Sequence, residues 1–138
     1  DDVARLGALD VIASMQPIHA ISDMPVADRF WGERSALAYA WRSQLQNGAR
    51  LAFGSDAPVE SPNPFLGLHA AVTRRTPDGA PGPQGWYPEQ KLTLVEALEA
   101  YTTGPAFAAN AATGTPSPAP SRSRSVSGTS SFQQRDMS

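Results

Sequence analysis

Hydrophobic positions along the chain follow two alternating periodicities. Residues 9–15 and 50–54 are short apolar runs with β-branched or aromatic side chains, which is typical of buried strands. Residues 33–47 and 64–74 instead repeat their apolar side chains at helical spacing, and two arginines end the second segment, where they suit the helix dipole. Strand, helix, strand and helix joined by short connections predict an α/β fold with a parallel sheet. Because two strands cannot close such a sheet, we expect the fold to be incomplete.

The remaining segments of this region carry turn and cap signals. Residues 18–32 show no clear period and contain an aspartate and a proline of turn type, which predicts an irregular connection. The pattern Thr93-x-x-Glu96 predicts a capping box at the start of a third helix. Gly104-Pro105 is expected to end that helix, with one further turn after it.

The composition changes sharply at residue 113. Residues 1–112 contain nearly all large apolar side chains and twelve of the thirteen acidic residues, whereas residues 113–138 are rich in Ser, Pro, Arg and Thr. Such a tail cannot bury enough apolar surface to offset about 1–2 kcal/mol of backbone entropy per residue. We therefore predict an ordered region over 1–112 and a disordered tail over 113–138, whose composition also suits a shifted reading frame.

Composition and charge exclude several classes of protein. The chain has 138 residues, a formal net charge of −2 and a sequence pI of about 5.6, so we expect no nucleic-acid partner and no membrane partner. It has no cysteine, which excludes disulfides, thiolate ligands and a cysteine nucleophile. No apolar run reaches the roughly 18 residues of a spanning helix, and no signal peptide is recognisable. We expect a cytoplasmic protein.

The carboxyl ends of the two predicted strands are where a parallel α/β fold presents polar side chains. The first strand runs into Gln16 and His19, and the second runs into Ser55 and Asp56. A carboxylate at the mouth of a buried strand favours a bound cation or strong hydrogen bonds, but Asp56 could equally cap the next helix or form an Asx-turn. A single histidine after a strand is more often a loop or packing residue.

Other candidates are less specific. Arg34 could orient a group at the strand mouth or form a surface ion pair, and a packing role is the simpler one for His69 in its helix. Trp86 and Tyr87 interrupt a Gly- and Pro-rich loop, either as a flap over a pocket or as an anchor for the loop. The sequence has no serine-hydrolase elbow, no HxH or HExxH motif and no phosphate-binding loop.

Four motifs occur in the same order as in one group of metal-dependent amidohydrolases. They are Gln16-Pro17-Ile18-His19, Gly32-Glu33-Arg34, Gly54-Ser55-Asp56-Ala57-Pro58-Val59 and Tyr101-Thr102-Thr103-Gly104. Taken together they resemble amidohydrolase family 3, the group that includes the N-substituted formamide deformylases, over about residues 1–109. One such motif alone is weak, whereas the ordered set is specific.

The resemblance implies a (β/α)8 TIM-like barrel, whose last two strands would be residues 9–15 and 50–54, and a divalent metal, usually zinc. It implies that Asp56 is a metal ligand and accepts a proton from the water that attacks an amide-type carbon. It also implies that Gln16, His19 and Arg34 contact a small-molecule amide or formamide substrate.

The family's HxH motif and its later metal ligands have no counterpart in this sequence, which therefore resembles the last part of a barrel. We expect the isolated chain to be inactive and to associate with the missing N-terminal part. The end of the match near residue 109, together with the tail, favours a frameshift or a wrong exon or gene boundary, and a genuine disordered linker is the alternative for the tail. Two alternatives stay open, namely a non-catalytic complementing or interaction module and a pseudogene product without function.

Overall fold

A computed structural model describes residues 2–112, so the tail predicted at 113–138 lies outside the described residues. The strands are β1 (Ile12–Met15) and β2 (Arg50–Phe53). The α-helices are α1 (Arg5–Ala8), α2 (Pro17–Trp31), α3 (Trp41–Gln46), α4 (Pro64–Thr73), α5 (Leu94–Tyr101) and α6 (Thr103–Ala112). Two 3-10 segments, Gly32–Leu37 and Pro88–Gln90, precede α3 and α5. Within this range no helix is long and apolar enough to cross a membrane.

Strands β1 and β2 pair in parallel, as the sequence predicts. Ile12 lies opposite Arg50 and Met15 lies opposite Phe53, so the two carboxyl ends lie side by side. Among residues 2–112 the sheet has only these two strands. The order of strands and helices confirms the α/β class.

The segment 18–32, which was expected to be irregular, is instead most of helix α2. Pro17 occupies the first helical position. A proline is tolerated there because an N–H at that position has no acceptor within the helix. Met24 and Ala27 are buried on the inner face of this helix, so packing rather than local preference decides the conformation. Pro25 lies inside the helix, and the prediction was wrong because it treated this proline as a breaker.

The single helix predicted over residues 33–47 is divided in two. A 3-10 segment and α3 are separated by Tyr39, whose backbone is left-handed with φ of 54°. The guanidinium of Arg74 accounts for this break, because it donates to the carbonyls of Ala38 at 3.3 Å and of Tyr39 at 2.9 Å. Both carbonyls therefore accept from a distant side chain, and the Tyr39 carbonyl also accepts the N–H of Trp41 at 2.9 Å.

The core is centred on Trp41, which is 0% exposed. Its ring meets Phe53 of β2 edge-on, with 6.0 Å between the ring centroids. The guanidinium of Arg74 lies 4.6 Å from the Trp41 ring and 4.8 Å from the Trp86 ring, and its Nε donates to the Trp86 carbonyl at 2.6 Å. Burial lowers the pKa of Arg74 to about 10, so the side chain stays charged near neutral pH between two indole faces.

Trp86 anchors the Gly- and Pro-rich loop to the end of α2. The ring is buried, and its Nε1 donates to the Asp28 carboxylate, 3.0 Å from Oδ1. The Tyr87 hydroxyl lies 2.7 Å from Ser35 Oγ, which itself donates to Asp28. Of the two roles considered for these aromatic residues, the structure supports the anchor.

The capping box predicted at Thr93 and Glu96 is present at the start of α5. Gly104 and Pro105 lie within the first turn of α6, so the chain breaks just before them and not at them. Pro105 is tolerated there because the N–H groups of a first turn have no helical acceptor. Gly104 lies against the carbonyl of Leu51, which brings α6 into backbone contact with β2.

We expect Gly104→Ala to destabilise the chain by about 1–3 kcal/mol, because the added Cβ would overlap the Leu51 carbonyl oxygen. Urea unfolding followed by tryptophan fluorescence measures this change in the free energy of unfolding. Gly54→Ala is the matched control, since no atom lies within 4 Å of its added Cβ. Equal stability of the two variants would contradict the contact.

Arg42 joins α3 to the start of α5. Its Nη1 and Nη2 donate to the two carboxylate oxygens of Glu96 at 2.6 Å each, and its Nε donates to the Lys91 carbonyl at 2.9 Å. The hydrogen bonds from Arg42 are the main reason why the pKa of Glu96 falls from 4.5 to about 2. The folded state therefore favours the ionised carboxylate.

The free energy of unfolding should fall as the pH is lowered from about 4.5 to about 2. The contribution of Glu96 is fully present above pH 4.5 and is lost towards pH 2, where the folded carboxylate also takes a proton, and we expect it to be about 2 kcal/mol. Glu96→Gln should flatten this part of the pH profile of unfolding free energy. Glu99→Gln, on the same helix and exposed, should leave the profile unchanged. A Glu96→Gln profile parallel to that of the unsubstituted chain would refute this assignment.

Candidate functional site

The carboxyl ends of the two strands meet at one edge of the sheet. The N–H of Gly54 donates to the Met15 carbonyl at 3.2 Å, which extends the pairing beyond β2. The chain leaves β1 through Gln16 into α2, and it leaves β2 through Ser55 and Asp56 into the loop before α4. Both segments predicted to carry polar site residues therefore lie at the same edge.

His19 lies in the first turn of α2, where its N–H donates to the Gln16 carbonyl at 3.1 Å. The His19 side chain is 25% exposed, but its Nε2 atom is buried and has no hydrogen-bond partner in the part of the chain that the structure describes. Leaving a buried polar atom unpaired costs about 1–3 kcal/mol, so this nitrogen is a candidate for a functional contact. The Gln16 side chain forms no cap on α2 and stays available at the same edge.

Asp56 follows β2 in a left-handed conformation with φ of 59°. Its Oδ2 lies 3.6 Å from the Nε2 of His19, and its side chain is 47% exposed. The helix-capping alternative is wrong, because Asn63 accepts the N–H of Phe65 at the start of α4. No Asx-turn hydrogen bond from Asp56 appears among residues 2–112, so neither structural alternative accounts for this carboxylate.

The structure does not bring Arg34 to the strand ends. It lies in the 3-10 segment after α2, whereas His19 lies in the first turn of that helix. That segment turns back onto the last part of α2, where Ser35 Oγ donates to the Asp28 carboxylate at 2.7 Å. Arg34 is exposed and makes no hydrogen bond or ion pair within the described range. The expected grouping of Arg34 with Gln16 and His19 is therefore not seen.

Tyr101 supports the candidate site, although sequence reasoning gave it no such role. Its hydroxyl donates to the Gly54 carbonyl at 3.4 Å, and its ring packs edge-on against Phe53 with 5.5 Å between centroids. Burial raises the pKa of Tyr101. Gly67 of α4 makes room for the hydroxyl, because a Cβ there would overlap it. The residue belongs to one of the four motifs, but only the tertiary structure shows that it reaches the end of β2.

Two groups able to ligate a cation meet at this edge, the Asp56 carboxylate and the His19 imidazole. Oxygen and nitrogen ligands of these types suit zinc and other divalent transition metals. Within residues 2–112 no cluster of three or more His, Cys, Asp or Glu side chains is found. The donors present therefore fit one part of a metal site and would need further ligands to complete it.

A groove of about 670 Å³ lies at the opposite end of β2. Arg50, Glu99 and Phe107 are among the residues that line it, and the Arg50 guanidinium lies 3.8 Å from the centroid of the Phe107 ring. The groove includes neither His19 nor Asp56. Its size therefore does not identify the site, and the arrangement of polar side chains at the carboxyl ends is the better guide.

The two parallel strands and the helices around them define an α/β protein with two candidate cation ligands at the carboxyl ends of its strands. Comparison with known families makes the assignment specific. The chain belongs to the amidohydrolase family, whose model matches residues 1–118. This confirms the resemblance drawn from the four motifs.

Individual relatives agree with this assignment. The chain is 36% identical over 106 residues to the Bacillus subtilis protein YtcJ, which its name assigns to the amidohydrolases, and the match covers 75% of this chain and 20% of that protein. It is 39% identical over 67 residues to the N-substituted formamide deformylase of Arthrobacter pascens, covering 49% of this chain and 12% of that enzyme.

A solved structure agrees as well. The crystal structure of an uncharacterized metal-dependent hydrolase from Pyrococcus horikoshii superposes with a TM-score of 0.69 at 32% identity, covering 81% of this chain and 23% of that protein. The matched part of the chain spans between 12% and 23% of the length of these three relatives.

Proposed function

We propose that the chain is the C-terminal part of a (β/α)8-barrel amidohydrolase, with β1 and β2 as its last two strands. The proposed reaction is hydrolysis of a non-peptide carbon–nitrogen bond in a small amide or formamide. The observation that carries this proposal is the approach of Asp56 to His19 at the carboxyl ends of two parallel strands, since the active sites of such barrels lie at that end.

Asp56 would hold a divalent cation, which we propose to be zinc, together with ligands from outside this chain. When bound, the cation lowers the pKa of water and polarises a carbonyl oxygen. The exposed fraction of the Asp56 side chain leaves its carboxylate accessible to such ligands and to substrate.

The proton transfers are assigned to Asp56. Water adds to the carbonyl carbon while Asp56 takes one of its protons, and Asp56 then gives that proton to the leaving nitrogen. The carbon–nitrogen bond breaks, which yields a carboxylic acid and an amine. Gln16, at the same edge, is proposed to contact the substrate through its amide. The position of Arg34 gives no support to a similar role.

The experiment that tests this function uses a full-length amidohydrolase of the family, in which residues 1–112 of this chain take the place of the corresponding segment. In that enzyme Asp56 is replaced with asparagine. Loss of turnover with an intact fold is expected, and full turnover would overturn the proposal.

A second proposal is that the isolated chain is inactive and associates with the rest of the barrel. Exposed apolar side chains near the end of α2 support it, because uncovered apolar groups of this kind mark interaction surfaces. They are Phe30, Trp31 and Leu37, which are 70%, 54% and 57% exposed. Co-expression with the upstream part of an amidohydrolase should yield a stable complex and restore hydrolysis. Activity of the 138-residue chain alone would refute it.

A further inference from the structure

The Nε2 atom of His19 is a buried polar atom whose nearest charged neighbour is the carboxylate of Asp56. We propose that His19 is a positioning residue, whose Nε2–H donates to Asp56 Oδ2 and leaves the other carboxylate oxygen free for the cation. This inference rests on the proposed function and replaces the expected contact between His19 and substrate. It assigns to His19 a role that acts through Asp56 and not on the substrate itself.

Geometry supports this pairing. The separation of 3.6 Å lies within ion-pair distance and is longer than a hydrogen bond of about 2.7–3.2 Å, so the proposed bond requires a closer approach of the two side chains. The His19 backbone is fixed by the first turn of α2, so the imidazole approaches Asp56 from a rigid element.

Asp56 needs such a partner. Its backbone carbonyl accepts two N–H groups of the next turn, at 2.8 and 3.3 Å, but its side chain makes no hydrogen bond to any other described residue. A carboxylate that ligates a metal works best when a neighbouring group fixes its orientation. His19 is the group placed to do so.

The different burial of the two side chains favours a positioning role for His19 over direct contact with substrate. The carboxylate of Asp56 is half exposed, whereas the Nε2 of His19 is covered by protein atoms. A substrate entering from solvent would therefore meet Asp56 before it could reach this nitrogen. The same burial argues that the proton on Nε2 exchanges slowly with water when it is shared with Asp56.

The first test is nitrogen NMR of the imidazoles in the ¹⁵N-labelled 138-residue chain, recorded where the nitrogen shifts show both imidazoles to be neutral. The chain has only two histidines, and His69→Gln assigns their signals. We expect an exchange-protected proton on Nε2 of His19 that becomes unprotected in Asp56→Ala. A proton on Nδ1 instead, or protection that is unchanged in Asp56→Ala, would overturn the pairing.

The second test uses matched variants in the family-length enzyme that carries this segment. His19→Leu removes the donor and should lower kcat by about 10–100-fold with little change in KM, whereas His19→Gln keeps an amide donor and should recover most of the loss. A raised KM with unchanged kcat would indicate substrate contact and overturn positioning.

Variants of the same enzyme distinguish a failure of the positioning role of His19 from a failure of the proposed function. If Asp56→Asn abolishes turnover but His19→Leu does not lower it, the positioning role fails and the proposed function stands. If Asp56→Asn leaves turnover intact, the proposed function itself fails. His69→Leu, on an exposed position of α4, is the control that should leave kcat unchanged.

Discussion

Asp56→Asn should lower turnover by about 10³-fold in a family-length amidohydrolase that carries this segment. Asparagine keeps the size of the side chain, but it neither accepts a proton at neutral pH nor offers a negative charge to a cation. The Asp56 side chain is half exposed and makes no hydrogen bond to any residue between 2 and 112, so the fold should not change. Hydrolysis of a simple formamide, bound metal per protein and the urea midpoint together measure the effect.

The matched control for this prediction is Asp78→Asn. Asp78 is an exposed carboxylate in the loop after α4, and it makes no hydrogen bond or ion pair within residues 2–112. Its replacement should leave turnover, metal content and stability unchanged. If both variants retain full turnover, the catalytic role of Asp56 is refuted.

The strands and their order could be predicted because their signals are local. Residues 50–54 are a short apolar run, and the structure forms β2 over Arg50–Phe53. The capping box of α5 also depends on two residues three positions apart. Helix α2 could not be predicted in the same way, because Pro25 and the polar residues around it obscure the period that packing against the core imposes.

The sequence was sufficient to predict that the candidate site lies at the carboxyl ends of the two strands. Gln16, His19 and Asp56 each follow a strand, and the carboxyl ends of parallel strands necessarily meet. The approach of His19 Nε2 to Asp56 could not be derived, since it depends on the orientation of α2 relative to the loop after β2. Arg34 was expected to orient a group at the strand mouth, and the structure places it in the 3-10 segment that follows α2, where its side chain is exposed.

Arg74 shows the limit of local reasoning most clearly. A pair of arginines at the end of a helix suggests interaction with the helix dipole. The structure instead buries Arg74 to 1% exposure and directs it to three carbonyls from distant parts of the chain. Nothing in the neighbouring sequence distinguishes it from Arg75, which is partly exposed and donates to the Gly79 carbonyl in its own loop.

Arg74→Met should lower the free energy of unfolding by about 4 kcal/mol, because it keeps much of the volume but removes the donor to the carbonyls of Ala38 and Trp86 and one of the two donors to the carbonyl of Tyr39. Arg74→Lys should recover only part of this loss, since one ammonium cannot reproduce the planar fork between two indole rings. Arg75→Met is the control and should change stability by less than about 1 kcal/mol. Urea unfolding measured by tryptophan fluorescence gives all three values. Equal losses for Arg74→Met and Arg75→Met would show that the buried guanidinium does not organise this core.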